Sequence, residues 1–272
     1  LDWNKIKTIF ILTFLILDLF LVFQFIDKRN TTGQLSWIRE TKIEEQLKAE
    51  NIKYPEFLEE DVDSPFISAE QKSFVKDELR EFDDQTITII QDGPIVSILD
   101  NPFPLSEDHF KNNLHEFLKD HVYEGDQYTY WSWSGETNKL LLFQTYEDQP
   151  IYYNESGLLS IQLDGNNQVI GYEQTYLENI QEVSDEGNYT NIFHGMRAIE
   201  SLYRKNHLTF GNEITDMKLG YFKVVPISGD VQFFAPTWHI QIDNETNYFV
   251  NAVEGQIMES VEGGVESNEF AF

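Results

Sequence analysis

Residues 106–122, SEDHFKNNLHEFLKDHV, and residues 128–177, YTYWSWSGETNKLLLFQTYEDQPIYYNESGLLSIQLDGNNQVIGYEQTYL, decide the fold class. In the first segment Phe110, Leu114, Phe117, Leu118 and Val122 recur at helical spacing. Ser106 reads as an N-cap, with Glu107 and Asp108 in the first turn. The spacing predicts a helix of about sixteen residues. In the second segment the pattern changes to short β-type runs: 128–133, 139–146, 151–153, 158–163 and 169–177. Ser134-Gly135, Ser156-Gly157 and Asp164-Gly165 separate several of them. Helices segregated from runs of hairpin strands describe an α+β fold.

The order repeats downstream. Residues 191–205 read as a helix, with Ile192, Met196, Ile199, Leu202 and Tyr203 on one side. Strand candidates follow at 214–225, 231–234, 238–242 and 248–251. The expected external region is therefore two helix-plus-antiparallel-sheet lobes, at 61–182 and 183–260. The correspondence is architectural, with no strong residue-by-residue repeat. The acid-rich run 178–188 reads as the close of the first lobe, and residues 261–272 as an acidic tail.

Upstream, runs at 86–90 and 95–99 flank Asp92-Gly93, a hairpin signal. Pro102 and Pro104 punctuate the chain after them. Residues 59–63 form an acidic loop without the spacing of a calcium site. Residues 37–51 suggest a charged, mostly exposed helix with apolar positions at 38, 43 and 47, which Tyr54-Pro55 ends. Residues 27–60 as a whole read as a linker and helix beside a membrane.

That membrane is implied by residues 6–26, IKTIFILTFLILDLFLVFQFI. About 20 apolar residues at ~1.5 Å rise span a ~30 Å hydrocarbon core. The run exceeds a signal-peptide core and has no small-residue cleavage pattern, so it reads as an uncleaved transmembrane helix. Residues 1–5 form a cytoplasmic tip, and the long C-terminal part lies outside. Lys5 and Lys7 balance Lys28 and Arg29, so flank charge does not set this orientation. The brevity of the N-terminal flank does. Asp18 is the polar residue near mid-span. An aspartate there costs roughly 2.5–3.5 kcal/mol on insertion scales, and a polar group in hydrocarbon gains from a partner helix. At helical spacing its face includes Ile11, Phe14, Leu15, Val22 and Phe25, a contact surface for a second transmembrane helix; the other reading of Asp18 is a tolerated polar residue that recruits water or snorkels.

Composition bounds the function. Of 272 residues, 19 are Lys or Arg and 47 are Asp or Glu, a formal charge of −28. Such a surface repels phosphate and argues against nucleic acid as a partner. There is no cysteine, which removes disulfides, thiolate catalysis and thiolate-held zinc. No G-x-S-x-G, H-E-x-x-H, Walker A or G-x-G-x-x-G occurs. His109, His115 and His121 are spaced by six residues, about 120° apart on a helix, so they do not share a face. His194, His207 and His239 are isolated. The run Tyr128-Thr129-Tyr130-Trp131-Ser132-Trp133 reads as a strand packed on both faces rather than a sugar platform. No catalytic residue, cofactor or metal site is expected, and the chain does not read as an enzyme.

The opening Asp2-Trp3-Asn4-Lys5-Ile6-Lys7-Thr8-Ile9-Phe10-Ile11, continuing through Leu17, resembles the start of the YycI (WalI) family of low-GC Gram-positive bacteria. The resemblance continues in Ile67-Ser68-Ala69, in Pro236-Thr237-Trp238-His239-Ile240 and in the run from Tyr248 to Ile257. Asp18 departs from it, standing where the family is expected to carry Asn. The resemblance implies a YycH/YycI-like external region. It also implies a membrane-anchored accessory regulator of the WalK (YycG) sensor histidine kinase. Such a protein acts with a YycH-like partner, as a homodimer or heterodimer, to tune cell-wall metabolism. Two other readings stay open: a binding module for a cell-wall ligand or cation, and a PepSY-like protease inhibitor.

Overall fold

The computed structural model describes residues 3, 7, 10–15, 17, 18, 20, 42–55, 64–75, 79, 84–90, 93–183, 192–224 and 231–262. The contacts divide the chain into two units, Leu1–Ile52 and Lys53–Phe272. In the first unit the described residues between 3 and 20 are helical, and a second helix, α1, covers 42–49. That helix is exposed except at Ile43 and Leu47, as its charged sequence predicts. Among the described residues no helix is long and apolar enough to cross a membrane. The expected span is only partly covered, because residues 21–26 lie outside the described residues. So do the linker at 27–36, the acidic loop at 59–63 and the tail from 263.

The second unit is a mixed α+β structure dominated by a thirteen-stranded sheet. Its strands are β1 (Phe66–Gln71), β2 (Gln85–Ile89), β3 (Ile95–Pro104), β4 (Tyr128–Ser134), β5 (Lys139–Tyr146), β6 (Gln149–Tyr152), β7 (Leu158–Leu163), β8 (Gln168–Gln174), β9 (Leu177–Val183), β10 (Ile214–Lys223), β11 (Val231–Ile242), β12 (Thr246–Asn251) and β13 (Ile257–Glu262). The helices are α2 (Phe110–His121) and α3 (Gly195–Arg204). The main path runs β13-β12-β11-β10-β6-β5-β7-β8-β3-β2, with β4 on β5, and β1 between β11 and β9. A helix followed by a meander does occur twice along the chain. The strands of both meanders share one hydrogen-bonded path, joined by the parallel pair of β6 and β10 (Ile151 opposite Tyr221, Tyr152 opposite Phe222).

Period-2 alternation builds the first core. Leu140 and Leu142 of β5 and Leu159, Ile161 and Leu163 of β7 present one face, and Val169 and Tyr172 of β8 join it across a register shift opposite Gln162 and Leu163. Phe110, Leu114, Phe117 and Leu118 of α2 cover it. Ser106 does not cap this helix. Its hydroxyl donates to Asn113 Oδ1 at 2.8 Å. A 3-10 turn, Glu107–His109, intervenes, and His109 takes the N-cap position. The second helix starts at Gly195 because the preceding backbone is engaged by the sheet. Phe193 N–H donates to the Ala252 carbonyl at 2.9 Å, and the Phe193 carbonyl accepts from Trp238 Nε1 at 3.0 Å.

Several strand readings change. β3 runs on through Pro102 to Pro104. A register shift between Ile98 and Phe103 leaves Pro102 out of the ladder, so its missing N–H costs nothing there. β11 is continuous across Pro236, which stands where β1 ends and β12 begins along one edge of that strand. The described part of the acid-rich close of the first lobe, 178–183, belongs to β9. Asn179, with φ 56°, sits at the irregularity in its pairing with β1, a conformation Asn tolerates better than most residues. β2 and β3 form the expected hairpin, with Gln91-Asp92 of its turn outside the described residues.

Candidate functional site

Ile11, Phe14, Leu15 and Asp18 lie in helical backbone, one turn apart along a single face. All four are exposed, Ile11 at 65% and Phe14 at 58%. Val22 and Phe25, the rest of the expected contact face, lie outside the described residues. Leu12, Leu17 and Phe20 are exposed as well. Burying each such side chain is worth roughly 1.5–3 kcal/mol, so this helix gains from any apolar cover, whether lipid or protein. Asp18 is the acidic group among these described residues.

The second feature is internal, and sequence reading missed it. A bulge between Tyr130 and Ser132 in β4 reverses the strand's alternation. Tyr128 and Trp133 therefore both enter the α2 core, and Trp131 turns to the opposite face. There it meets Phe143, Tyr152 and Phe249. His239 from β11 sits inside this group. Its ring centroid is 4.9 Å from Trp131, 5.2 Å from Phe249 and 5.5 Å from Tyr152. Alternation explains the position. Trp238 and Ile240 face α3's side of the sheet, so Thr237 and His239 face the other. No local signal in the sequence announces the cluster, because its members come from β4, β5, β6, β11 and β12.

His239 is 2% exposed. Its Nε2 is 2.8 Å from Asn247 Oδ1, which assigns the proton to Nε2. Nδ1 then carries a lone pair with no hydrogen-bond partner among the described residues. Burial holds the imidazole below its ordinary pKa; the Asn247 bond and Asp216 pull the other way, and Lys218 adds to the lowering. The Tyr152 hydroxyl is likewise buried without a partner, and desolvation, then Asp216, push its pKa up. Tyr152 lies against Gly220, where a Cβ would come within 2.4 Å of the tyrosine ring.

The other histidines stay apart from this group. His109, in the 3-10 turn before α2, and His115, on α2, are exposed. His121 stacks on Phe117 and has Nδ1 3.6 Å from Asp84 Oδ2. Among the described residues no three His, Asp or Glu are placed to hold a metal. The arrangement offers neutral, desolvated packing and one buried basic atom. It presents no nucleophile paired with a base.

No curated protein sequence matches the chain. Among solved structures it is similar to the YpeB C-terminal domain of Bacillus megaterium, at 13% identity and a TM-score of 0.41, covering 72% of this chain and 89% of that one. It is also similar to an uncharacterized protein from Eubacterium rectale, at 11% identity and a TM-score of 0.39, covering 74% and 82%. The model of the YycI protein family matches residues 33–253, most of the chain, including the whole stretch from β1 through β12. The chain therefore belongs to the YycI family.

Proposed function

We propose that the chain is a membrane-anchored accessory regulator of the WalK (YycG) sensor histidine kinase, acting with a YycH-like partner. Membership of the YycI family carries this reading. Residues 6–26 serve as its single transmembrane helix, with the N-terminus cytoplasmic and the two helix-plus-sheet lobes outside. It performs no catalysis and needs no cofactor.

The mechanism follows from binding thermodynamics. An accessory chain shifts a kinase between signalling states only if it binds one state better than the other. The face of Ile11, Phe14, Leu15, Asp18, Val22 and Phe25 is the proposed contact with the partner helix. Its apolar members supply packing, and Asp18 supplies a polar group whose satisfaction in hydrocarbon depends on what the partner offers. The external lobes hold the partners together.

The test is retrieval from mildly solubilised membranes. The bait is the full chain, compared with a chain whose residues 6–26 are exchanged for an unrelated spanning helix, and with Asp18→Leu. Retrieval of a sensor kinase by the native chain alone supports the helix contact. Retrieval by all three moves the contact to the lobes and removes the role given to Asp18. Retrieval by none overturns the regulator reading.

A further inference from the structure

The face of β5, β7 and β8 that turns away from α2 carries a groove of about 470 Å³. That size lies within the range of small-molecule sites. The register shows how it forms. Leu141 stands opposite Ser160, and Ser160 opposite Glu173, so one row crosses three strands. Lys139 lies one pleat away on the same face, beside Ser134 of β4. Leu141 and Leu158 make an apolar floor, with the hydroxyls of Ser134, Thr137, Ser160 and Thr175 around it.

The rim is held before any ligand arrives. Thr175 Oγ1 donates to the Glu155 carbonyl at 2.7 Å and accepts from the Leu158 N–H at 2.9 Å. Asn154 Oδ1 accepts from the Ser156 N–H at 2.7 Å. These bonds tie the turn that bears Glu155 to the end of β8. The other charged groups stand on strands. A site built on fixed elements spends little of its binding energy on ordering.

Lys139, Glu155 and Glu173 line the groove together. None of the three forms an ion pair among the described residues. Two carboxylates and one ammonium with the hydroxyls of Ser134, Thr137 and Ser160 between them match a ligand of the inverse charge. We propose that this groove binds a short peptide carrying two ammonium groups and one carboxylate, such as one with a diamino acid beside its free termini. Lys139 takes the carboxylate, Glu155 and Glu173 take the ammonium groups, and the leucine floor takes aliphatic carbon. The groove is lined by residues of the second unit alone, and its occupancy does not depend on the kinase reading.

The test is calorimetric titration of the full chain in nanodiscs with the tripeptide Ala-Lys-Ala. The control is the same peptide with both amines acetylated and the carboxylate amidated. Saturable binding of the charged peptide alone is expected. Glu155→Gln, Glu173→Gln and Lys139→Gln each weaken it about two- to five-fold, the size of an exposed charge contact. Glu107→Gln, on the α2 side of the sheet, leaves it unchanged. All four positions are surface side chains, and unchanged melting confirms that each variant folds. No saturable heat up to about 10 mM peptide, equal binding of the capped peptide, or equal effects at Glu107 and Glu173 would overturn the proposal.

Discussion

Lowering the pH loads a proton onto His239 only at a cost to the fold, and that cost can be isolated. The ring is enclosed by Trp131, Tyr152 and Phe249, and its unprotonated Nδ1 has no partner among the described residues. Burial depresses its pKa below the unfolded value of about 6.5. Above pH ~6.5 the imidazole is neutral in both states, and the full stability is present. Below it the unfolded chain takes the proton first, so stability falls with pH until the folded ring also titrates. From pH 7.5 to 5.5 the loss from this one group is capped at about 1.4 kcal/mol, the cost of the unfolded ring's protonation one pH unit below its pKa. Many carboxylates and other histidines titrate in parallel, so the measurement is a difference. His239→Gln keeps an amide donor for Asn247 and does not titrate. Urea unfolding of the full chain and of the variant is followed by tryptophan fluorescence at pH 7.5, 6.5 and 5.5. Trp131, in contact with the ring, reports the site. The gap between the two proteins should shift in the variant's favour as the pH falls, by at most about 1.4 kcal/mol, the ceiling set by the unfolded imidazole. A constant gap would mean that His239 is hydrated or already protonated in the fold, and the buried-ring argument would be wrong.

Three further outcomes follow from packing and hydrogen bonding. Tyr152→Phe removes a buried hydroxyl with no partner among the described residues, so it should be neutral or stabilising by about 1 kcal/mol in urea unfolding; a clear loss would reveal a partner for that hydroxyl. Gln144→Leu should destabilise by about 2–4 kcal/mol. Gln144 both accepts from the Leu177 N–H at 2.7 Å and donates to the Leu177 carbonyl at 2.9 Å, and the variant leaves two buried backbone groups unpaired; a change under about 1 kcal/mol would show that water reaches them. Gly220→Ala drives a methyl into Tyr152 and the Pro150 carbonyl and should cost about 1–3 kcal/mol by overpacking. Combining it with Tyr152→Leu should recover part of that loss, and additive losses would mean that the clash lies with the backbone alone.

Helix and strand identities were largely legible because they rest on periodicity. The sequence places β5 and β7 at their observed bounds, 139–146 and 158–163, since each is an apolar-rich run with turn-forming residues at both ends. It errs where one residue's local preference loses to pairing. Pro102 reads as a break, yet β3 runs through it with Pro102 outside the β3–β8 ladder, and the strand readings 231–234 and 238–242 join as β11 across Pro236, where β1 ends and β12 begins on one edge. β9 reads as a polar turn because an edge strand with exposed Glu and Asn needs no apolar alternation. Ser106 reads as a helix cap, yet its hydroxyl finds Asn113, seven residues on.

The sequence by itself determined the α+β class, the composition that excludes thiol chemistry and disfavours nucleic acid, and the residues that carry the family resemblance. All are properties of nearest neighbours along the chain or of totals over it. Tertiary structure decided everything that joins distant segments. A one-residue bulge in β4 sends Trp131 to the face where His239 waits, more than a hundred residues later. A two-residue parallel pairing of β6 with β10 puts both meanders on a single hydrogen-bonded path. Lys139, Glu155 and Glu173 become one groove through the registers of β5, β7 and β8 and the turn that Thr175 ties down. Register is a collective property: a shift of one residue turns every side chain of a strand to the opposite face. It is fixed by the packing of whole faces, so no local pattern in the chain spells it out.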